Sequence, residues 1–266
     1  CNPIDTPKGF SNAGVKQGFF GEGLTERPGL HQQVRDLNRH IEATTQGTLL
    51  AKDAKLEKLS SGYETVEGPL YNGKGHLLFT DIPNQRIWKL NLKTLNTTLF
   101  RDDTGGANGL AFDLTGRLLM CKQREKSLAR LEENGTETVL LKPTRIGGNK
   151  KIYRVGVNDV VVDRKGRIYV TVPGAGSLYL LDPDGGNPRR VISGLKGPNG
   201  LMLSPDEKTL YVSEYKEQKL HAFDVDPKTG NPSNQRLFSE VEQPSDYGCD
   251  GMTVDHLGNL YLSLIH

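Results

Sequence analysis

The sequence lacks several features that would place it in a common class of protein. In its 266 residues, no apolar run approaches the roughly 18 residues that a membrane-spanning helix needs. The formal net charge of +2 gives no electrostatic reason to expect a nucleic-acid partner. The motifs G-x-S-x-G, H-E-x-x-H and G-x-G-x-x-G and the Walker loop are absent. We therefore expect no nucleic-acid partner and no membrane span, and a hydrolase built on this chain would have to use a metal ion.

Cysteine is also scarce, with only Cys1, Cys121 and Cys249. None forms a C-x-x-C pair, which excludes the usual zinc and redox motifs. Cys1 leaves two interpretations open: a lipoprotein whose signal segment has been removed, or a sequence that is simply cut at this point. A periplasmic or secreted location is slightly favoured over a cytoplasmic one.

One stretch, residues 158–170, predicts a β-hairpin and recurs along the chain. A β-branched run from Val160 to Val162 leads through a polar turn ending at Gly166 to a second β-rich run. Five polar residues, here called the leading residues, open the repeats: Glu67, Asn108, Asn158, Asn199 and Asp250. Their spacings of 41, 50, 41 and 51 residues are typical of a β-propeller with one four-stranded blade per repeat. The sequence therefore predicts an all-β fold.

The repeats do not fill the whole chain. Residues 1–47 are predicted to be a leader with a short amphipathic helix around Leu30–Ile41, and residues 48–266 the propeller. A strand within 48–60 is expected to complete the last blade, and the basic stretch 142–154 is expected to be a solvated loop. The fifth blade stops after one hairpin, so a six-bladed ring would need further C-terminal sequence. A five-bladed or open assembly is the alternative.

The leading residues are the candidate metal-binding residues. The first strand of a blade lies nearest the central axis, so five blades would direct side-chain oxygens toward one point. Oxygen ligands suit a hard cation such as calcium, magnesium or manganese. The alternative is that Asn and Asp before Gly serve only in turns. A turn or packing role is assigned to the remaining aspartates considered, namely Asp113, Asp159, Asp163 and Asp255.

Several motifs resemble the SMP-30/gluconolactonase/luciferin-regenerating-enzyme-like family over about residues 55–266. They are Glu67-Gly68-Pro69, Asn158-Asp159, Pro198-Asn199-Gly200 and Asp250-Gly251-Met252. The resemblance implies a six-bladed propeller with one catalytic divalent cation in its central channel, usually calcium, with magnesium, manganese or zinc as alternatives. It implies the metal ligands Glu67, Asn158, Asn199 and Asp250. Asn108 would lie beside these ligands or face the substrate.

Other positions depart from the family pattern and concern the substrate. Gly156 stands where some members have an arginine that holds a sugar acid. The stretch from Cys121 to Arg124 replaces an acidic residue and a histidine found in many bacterial members. We therefore expect a retained metal site and a changed substrate pocket, with Arg124 as a substrate-binding candidate.

These features predict a metal-dependent hydrolase of a small molecule, either a lactone (gluconolactonase-like) or a related sugar-acid ester. The cation would polarise the carbonyl group, and Asp250 or a water molecule would act as base or nucleophile. The alternative is a non-catalytic binding scaffold in which the cation is structural. The oligomeric state is unknown from the sequence.

Overall fold

A computed structural model describes residues 53–146, 152–241 and 248–265. The chain divides into two compact units, residues 1–66 and 67–266. In the first unit, residues 53–65 contain no strand, so the strand predicted within 48–60 is wrong for its described part. The predicted leader helix lies outside the described residues, and the boundary at residue 47 stays a prediction.

The described residues form an all-β structure of successive, mostly antiparallel sheets. Sheet one contains β1 (Val66–Tyr71), β2 (His76–Asp81), β3 (Arg86–Asn91) and β4 (Thr97–Arg101). Sheet two contains β5 (Ala107–Phe112), β6 (Leu118–Lys122), β7 (Ser127–Leu131) and β8 (Glu137–Leu141), followed by the hairpin of β9 (Thr144–Ile146) and β10 (Ile152–Arg154). Sheet three contains β11 (Val160–Val162), β12 (Ile168–Val172), β13 (Ser177–Leu181) and β14 (Arg189–Ser193). Sheet four contains β15 (Pro198–Leu203), β16 (Thr209–Glu214), β17 (Lys219–Val225) and β18 (Pro232–Glu240), and β19 (Gly248–Val254) pairs with β20 (Leu260–Ile265).

The hairpin predicted at residues 158–170 is confirmed. β11 and β12 pair antiparallel with Val160 opposite Val170, which puts alternate side chains on opposite faces of the sheet. The Asp163 carboxylate closes the turn by accepting hydrogen bonds from the backbone N–H groups of Lys165 and Arg167, both at 2.9 Å. Asp113 and Asp255 close the equivalent turns of repeats two and five in the same way. The turn role predicted for these three aspartates is therefore confirmed.

The core lies between consecutive sheets. Leu119 and Leu128 of sheet two pack in one cluster with Ile168 and Val170 of sheet three, and all four are fully buried. Similar clusters join sheet one to sheet two and sheet three to sheet four. Each fully buried Leu, Ile or Val contributes roughly 1.5–3 kcal/mol of transfer free energy. Face-to-face apolar packing thus holds neighbouring sheets together.

In each four-stranded sheet, the fourth strand is the most exposed. Five of the six residues of β5 are buried, whereas eight of the nine residues of β18 are exposed. The first strand lies at the opposite edge of each sheet, and the first strands of repeats two to five contact one another in succession, so the first strands are the inner strands of this unit.

The rest of the described chain contains one more hairpin and two short helical turns. The basic stretch 142–154 contains the paired strands β9 and β10, with Arg145 opposite Tyr153, so the predicted loop is corrected to a short hairpin. The helical segments are three-residue 3₁₀ turns, Pro173–Ala175 and Tyr215–Glu217. Within the ranges given above, no helix is long and apolar enough to cross a membrane.

Candidate functional site

The leading residues lie at the start of the first strand of each repeat. Glu67, Asn108 and Asn199 are the second residues of β1, β5 and β15, and Asp250 is the third residue of β19. Asn158 lies two residues before β11. The pairing of β5, β15 and β19 with the following strand is irregular at the leading residue. Such irregularities can change the direction of the side chains in a strand.

Glycine after a leading residue allows neighbouring repeats to approach closely. Gly68 has a φ of +52°, and a Cβ atom there would collide with the carbonyl oxygen of Asn108. A Cβ at Gly200 would collide with the carbonyl oxygen of Asp250. Main-chain contact between the leading segments of neighbouring repeats therefore requires glycine at these positions.

A hydroxyl group on the second strand fixes each of these contacts. Thr80 donates to the carbonyl oxygen of Asn108 at 3.3 Å, and Ser213 donates to that of Asp250 at 2.7 Å. Thr171 donates to the carbonyl oxygen of Asn199 at 2.6 Å. These hydroxyls lie 13 or 14 residues after their own leading residues. Cys121, 13 residues after Asn108, takes the equivalent place in repeat two.

The inner strands bring a set of acidic and amide side chains together. The carboxyl groups of Glu67 and Asp250 lie close enough to interact, and the side chain of Asn199 lies close to the Asp250 carboxyl group as well. Asn199 and Asp250 are only 6% and 8% exposed. Asp159 lies close enough to interact electrostatically with both carboxyl groups. Three carboxyl groups and one amide thus meet where the first strands of the repeats converge.

The electrostatics of this cluster favour a bound cation. Burial raises the pKa of Glu67 and Asp250, and the charges of Asp250 and Asp159 raise that of Glu67 further. Burial raises the pKa of Asp159 to about 7, although the backbone N–H groups of Val160 and Leu201 oppose the rise. The main interactions that shift these pKa values come from burial, carboxyl groups, an amide and backbone N–H groups. Such a cluster needs either protons or an added cation to balance its charge.

The donor set fits a hard divalent cation. Its donors are carboxylate and amide oxygens, which calcium, magnesium and manganese prefer. Among the described residues, no group of three or more His, Cys, Asp or Glu side chains is arranged to hold a metal ion. Any ion at this site would therefore depend on amide oxygens as well as on the carboxylates of Glu67 and Asp250.

The structure brings three of the four predicted metal ligands together. Glu67, Asn199 and Asp250 meet through their side chains. The backbone of Asn158 is fixed, because its carbonyl accepts from Gly109 N–H at 3.0 Å and its N–H donates to Thr171. Its role as a ligand stays a prediction.

The two substrate-binding candidates lie at different places. Asn108 is buried, with its carbonyl against Gly68 of repeat one. Arg124 lies in the turn between β6 and β7, beside Gly106, and its Nη2 donates to the carbonyl of Pro83 at 2.8 Å. This turn is at the same end of sheet two as Asn108. The structure therefore places both candidates at the end of the sheets where the leading residues lie.

Asp159, for which the sequence predicts a turn or packing role, makes packing contacts with two strands and also lies in the carboxyl cluster, which was not predicted. Its carboxylate accepts hydrogen bonds from the N–H groups of Val160 at 2.9 Å and Leu201 at 3.3 Å. The signal was present in the repeat, because the other four leading residues are followed by glycine. Asp159 is thus a carboxylate at a position where the other four repeats have glycine, and this difference distinguishes repeat three.

The chain is similar to known proteins over most of its length. The family model described as SMP-30/Gluconolactonase/LRE-like region matches residues 65–266. Regucalcin of Xenopus laevis is 29% identical over 220 residues, which cover 77% of this chain and 70% of regucalcin. Gluconolactonase of Zymomonas mobilis is 24% identical over 251 residues, which cover 81% of this chain and 68% of that protein. The solved structure of a gluconolactonase from Xanthomonas campestris aligns with a TM-score of 0.63 and 29% identity, covering 74% of this chain and 69% of that one.

Proposed function

Because the chain belongs to the SMP-30/gluconolactonase/LRE-like family, we propose that it is a metal-dependent hydrolase of a lactone or a related sugar-acid ester. The observation that carries this proposal is the meeting of Glu67, Asp250 and Asn199 where the inner strands converge. Relatives named gluconolactonase and regucalcin support the class of reaction and of substrate. The proposal includes a six-bladed propeller, whose central channel would hold this site.

The proposed metal ligands are Glu67, Asn158, Asn199 and Asp250, with calcium as the first candidate for the ion. Polarisation of the substrate carbonyl is the chemistry that a divalent cation would supply there. Two carboxylates and two amides give the ligand set a charge of −2, which matches a divalent ion. The burial of Asn199 and Asp250 limits the access of bulk water to the ligands.

The residues of this chain would then carry out the remaining steps. The Asp250 carboxylate would accept a proton from the attacking water as the new C–O bond forms. Asp250 would then return that proton to the ring oxygen as the bond between this oxygen and the carbonyl carbon breaks, so that the ring oxygen leaves as an alcohol. Asp159 would position the site, because its two hydrogen bonds tie the starts of β11 and β15 to each other. Asn108 and Arg124 would contact the rest of the substrate.

Lactone hydrolysis tests the proposal directly. Proton release from a panel of five- and six-membered sugar lactones would be followed in a weakly buffered solution, with the protein stripped by a chelator and then supplied with calcium, magnesium, manganese or zinc. We expect hydrolysis only after a divalent cation is added. Asp250→Asn should lower kcat/KM by at least about 100-fold, since it removes the proposed base and a ligand charge.

Asp206→Asn is the matched control for Asp250→Asn. Asp206 is an exposed carboxylate in the first turn of repeat four, where it accepts from Ser204 and Lys208. Its loss should leave hydrolysis unchanged. If the metal stabilises the wild-type protein but no lactone or related ester is hydrolysed, the protein is instead the non-catalytic binding scaffold with a structural cation.

A further inference from the structure

A basic cleft lies at the opposite end of the inner strands from the carboxyl cluster. It has a volume of about 450 Å³ and is bordered by the turns between β11 and β12, β13 and β14, and β17 and β18. Four cationic side chains line it: Lys165, Arg167, Arg189 and Lys228. Asp182 is the one carboxylate among its lining residues in the described chain. Cations from turns of sheets three and four therefore converge on one cavity.

The two arginines of the basic cleft are held in place by the protein. Arg167 is 8% exposed, and its Nε donates to Asp163 at 2.6 Å while its Nη1 donates to the carbonyl of Lys228 at 3.1 Å. Arg189 donates from Nη1 to Asp182 at 2.8 Å. Fixed guanidinium groups lose little side-chain entropy when they bind an anion. The cleft is therefore organised before any ligand arrives.

The two lysines leave the cleft with uncompensated positive charge. Lys165 Nζ donates to the carbonyl of Pro227 at 2.6 Å, a neutral partner. Neither Lys165 nor Lys228 forms an ion pair with any described residue. Asp226, the nearest carboxylate in sequence to Lys228, interacts with it electrostatically but forms no ion pair, and its Oδ1 accepts from the backbone N–H groups of Lys228 and Thr229. Two ammonium groups thus remain available beside the two arginines.

The equivalent position in repeat two shows that the fold itself does not require this charge. There, Arg117 pairs with Asp113 at 2.8 Å, as Arg167 does with Asp163. The neighbouring cleft, of about 230 Å³, is lined by that single cation and by Glu132 and Glu133. Arg117 also pairs with Glu132, so its charge is neutralised. The corresponding turns of repeat two therefore do not carry the concentration of cations found in the basic cleft.

We propose that the basic cleft binds a phosphate group, either free or carried by a small molecule. A phosphate monoester carries about −1.5 to −2 charges near neutral pH, which matches the two lysines that lack ion pairs. Its oxygens can accept from a guanidinium and an ammonium group at the same time. The volume of the cleft leaves room for a pendant group beyond the phosphate. This site is separate from the carboxyl cluster and does not depend on the proposed lactonase activity.

Calorimetric titration of the full chain with inorganic phosphate tests the proposal, with ionic strength held constant by sodium chloride. We expect saturable binding of one phosphate per chain. The double variant Arg189→Gln/Lys228→Gln should weaken that binding by roughly tenfold or more, since it removes two charge-assisted donors. Lys208→Gln is the matched control: its ammonium group lies outside the cleft and its side chain is 80% exposed. It should bind phosphate as the wild type does.

Two further titrations separate the alternatives. Phosphate also ligates divalent cations, so Asp250→Asn would be titrated as well, and loss of binding in that folded variant would overturn the proposal. Binding that does not saturate, or that is equal in the double variant and the wild type, would overturn it too. A sugar phosphate that binds more tightly than inorganic phosphate would identify a phosphate carried by a small molecule, and equal affinities would identify the free anion.

Discussion

At the scale of single residues, the junctions between repeats depend on the absence of side chains. Gly68 combines a left-handed φ of +52° with main-chain contact to Asn108. Gly73, six residues from Glu67, has a φ of +72°, but a Cβ atom added there would meet no other atom within 4 Å. Alanine in place of Gly68 would therefore meet both an unfavourable backbone conformation and a collision, whereas alanine in place of Gly73 would meet only the unfavourable backbone conformation.

The pair gives a direct prediction. Gly68→Ala should lower the free energy of unfolding by about 3 kcal/mol or more, because neither backbone can move without breaking the junction. Gly73→Ala should lower it by only about 1 kcal/mol, the cost of the left-handed conformation. Urea denaturation of both variants measures the difference, and equal losses would show that the junction contributes nothing.

At the scale of strands and turns, hydroxyl groups connect the second strand of one sheet to the first strand of the next. The Thr171 hydroxyl donates to the carbonyl of Asn199 at 2.6 Å and accepts from Asp159 N–H at 3.0 Å. It therefore links the leading segments of repeats three and four. Both partners belong to the main chain, so the contact depends on the hydroxyl group rather than on the identity of neighbouring side chains.

Removing this hydroxyl should destabilise the protein. Thr171→Val is expected to lower the free energy of unfolding by about 1–3 kcal/mol, because buried backbone groups lose their partner. Thr171→Ser keeps the hydroxyl and should lose less. Thr98→Val, at an exposed position of β4, should change stability by less than about 0.5 kcal/mol. Chemical denaturation would contradict the role if Thr171→Val and Thr171→Ser were equally stable.

Because carboxylates close the turns, we expect the free energy of unfolding to fall in acid. Hydrogen bonds, first from the Asn259 side chain and then from the backbone N–H groups of Asn259 and Leu257, lower the pKa of Asp255 to about 2. The unfolded chain, with an ordinary pKa of 3.8, binds this proton first as the pH falls. The contribution of Asp255 is therefore complete above about pH 4 and is lost progressively toward pH 2.

Urea midpoints between pH 2 and pH 5 test this expectation. The wild type should lose stability across that window, and Asp255→Asn should lose less because its turn no longer titrates. NMR titration of the Asp255 carboxyl group gives an independent check. A pKa near 3.8 for that group in the folded protein would contradict the prediction.

At the scale of the whole repeat-containing unit, the carboxyl cluster joins the inner strands of repeats one, three, four and five. In chelated protein its pKa values are raised by burial, that of Asp159 to about 7. The folded state then binds more protons than the unfolded state between about pH 4 and pH 7 or above. Stability contributed by these groups should rise as the pH falls through that range.

A divalent cation should replace those protons. Calcium is expected to raise the melting temperature strongly at pH 8, where the carboxylates repel one another, and weakly at pH 5. Glu67→Gln should reduce both the calcium effect and the pH dependence of the chelated protein. Melting curves at several pH values with and without calcium measure this, and a calcium effect independent of pH would contradict it.

The sequence predicted those features that are visible within one repeat. The period of the leading residues indicated the succession of hairpins, and the β-branched run Val160–Val162 with its polar turn indicated the hairpin of β11 and β12. Prediction failed where the environment comes from another repeat. The nearness of Asp159 to Glu67 and Asp250 was not predicted, because these neighbours lie about 90 residues away in either direction. The hairpin of β9 and β10 was missed because charge and glycine content dominate that stretch.

The contacts at the repeat junctions have a consequence for how such a chain can change over time. Because a hydroxyl oxygen, a glycine Cα and a main-chain carbonyl supply these contacts, almost no side-chain identity has to be matched at the junctions themselves. Outside the apolar clusters between sheets, repeats can diverge independently, and one can acquire a basic cleft while its neighbour stays acidic. Exchange of a whole repeat between distant homologues should then be tolerated at these junctions, provided that the exchanged segment keeps its small residue and its hydroxyl.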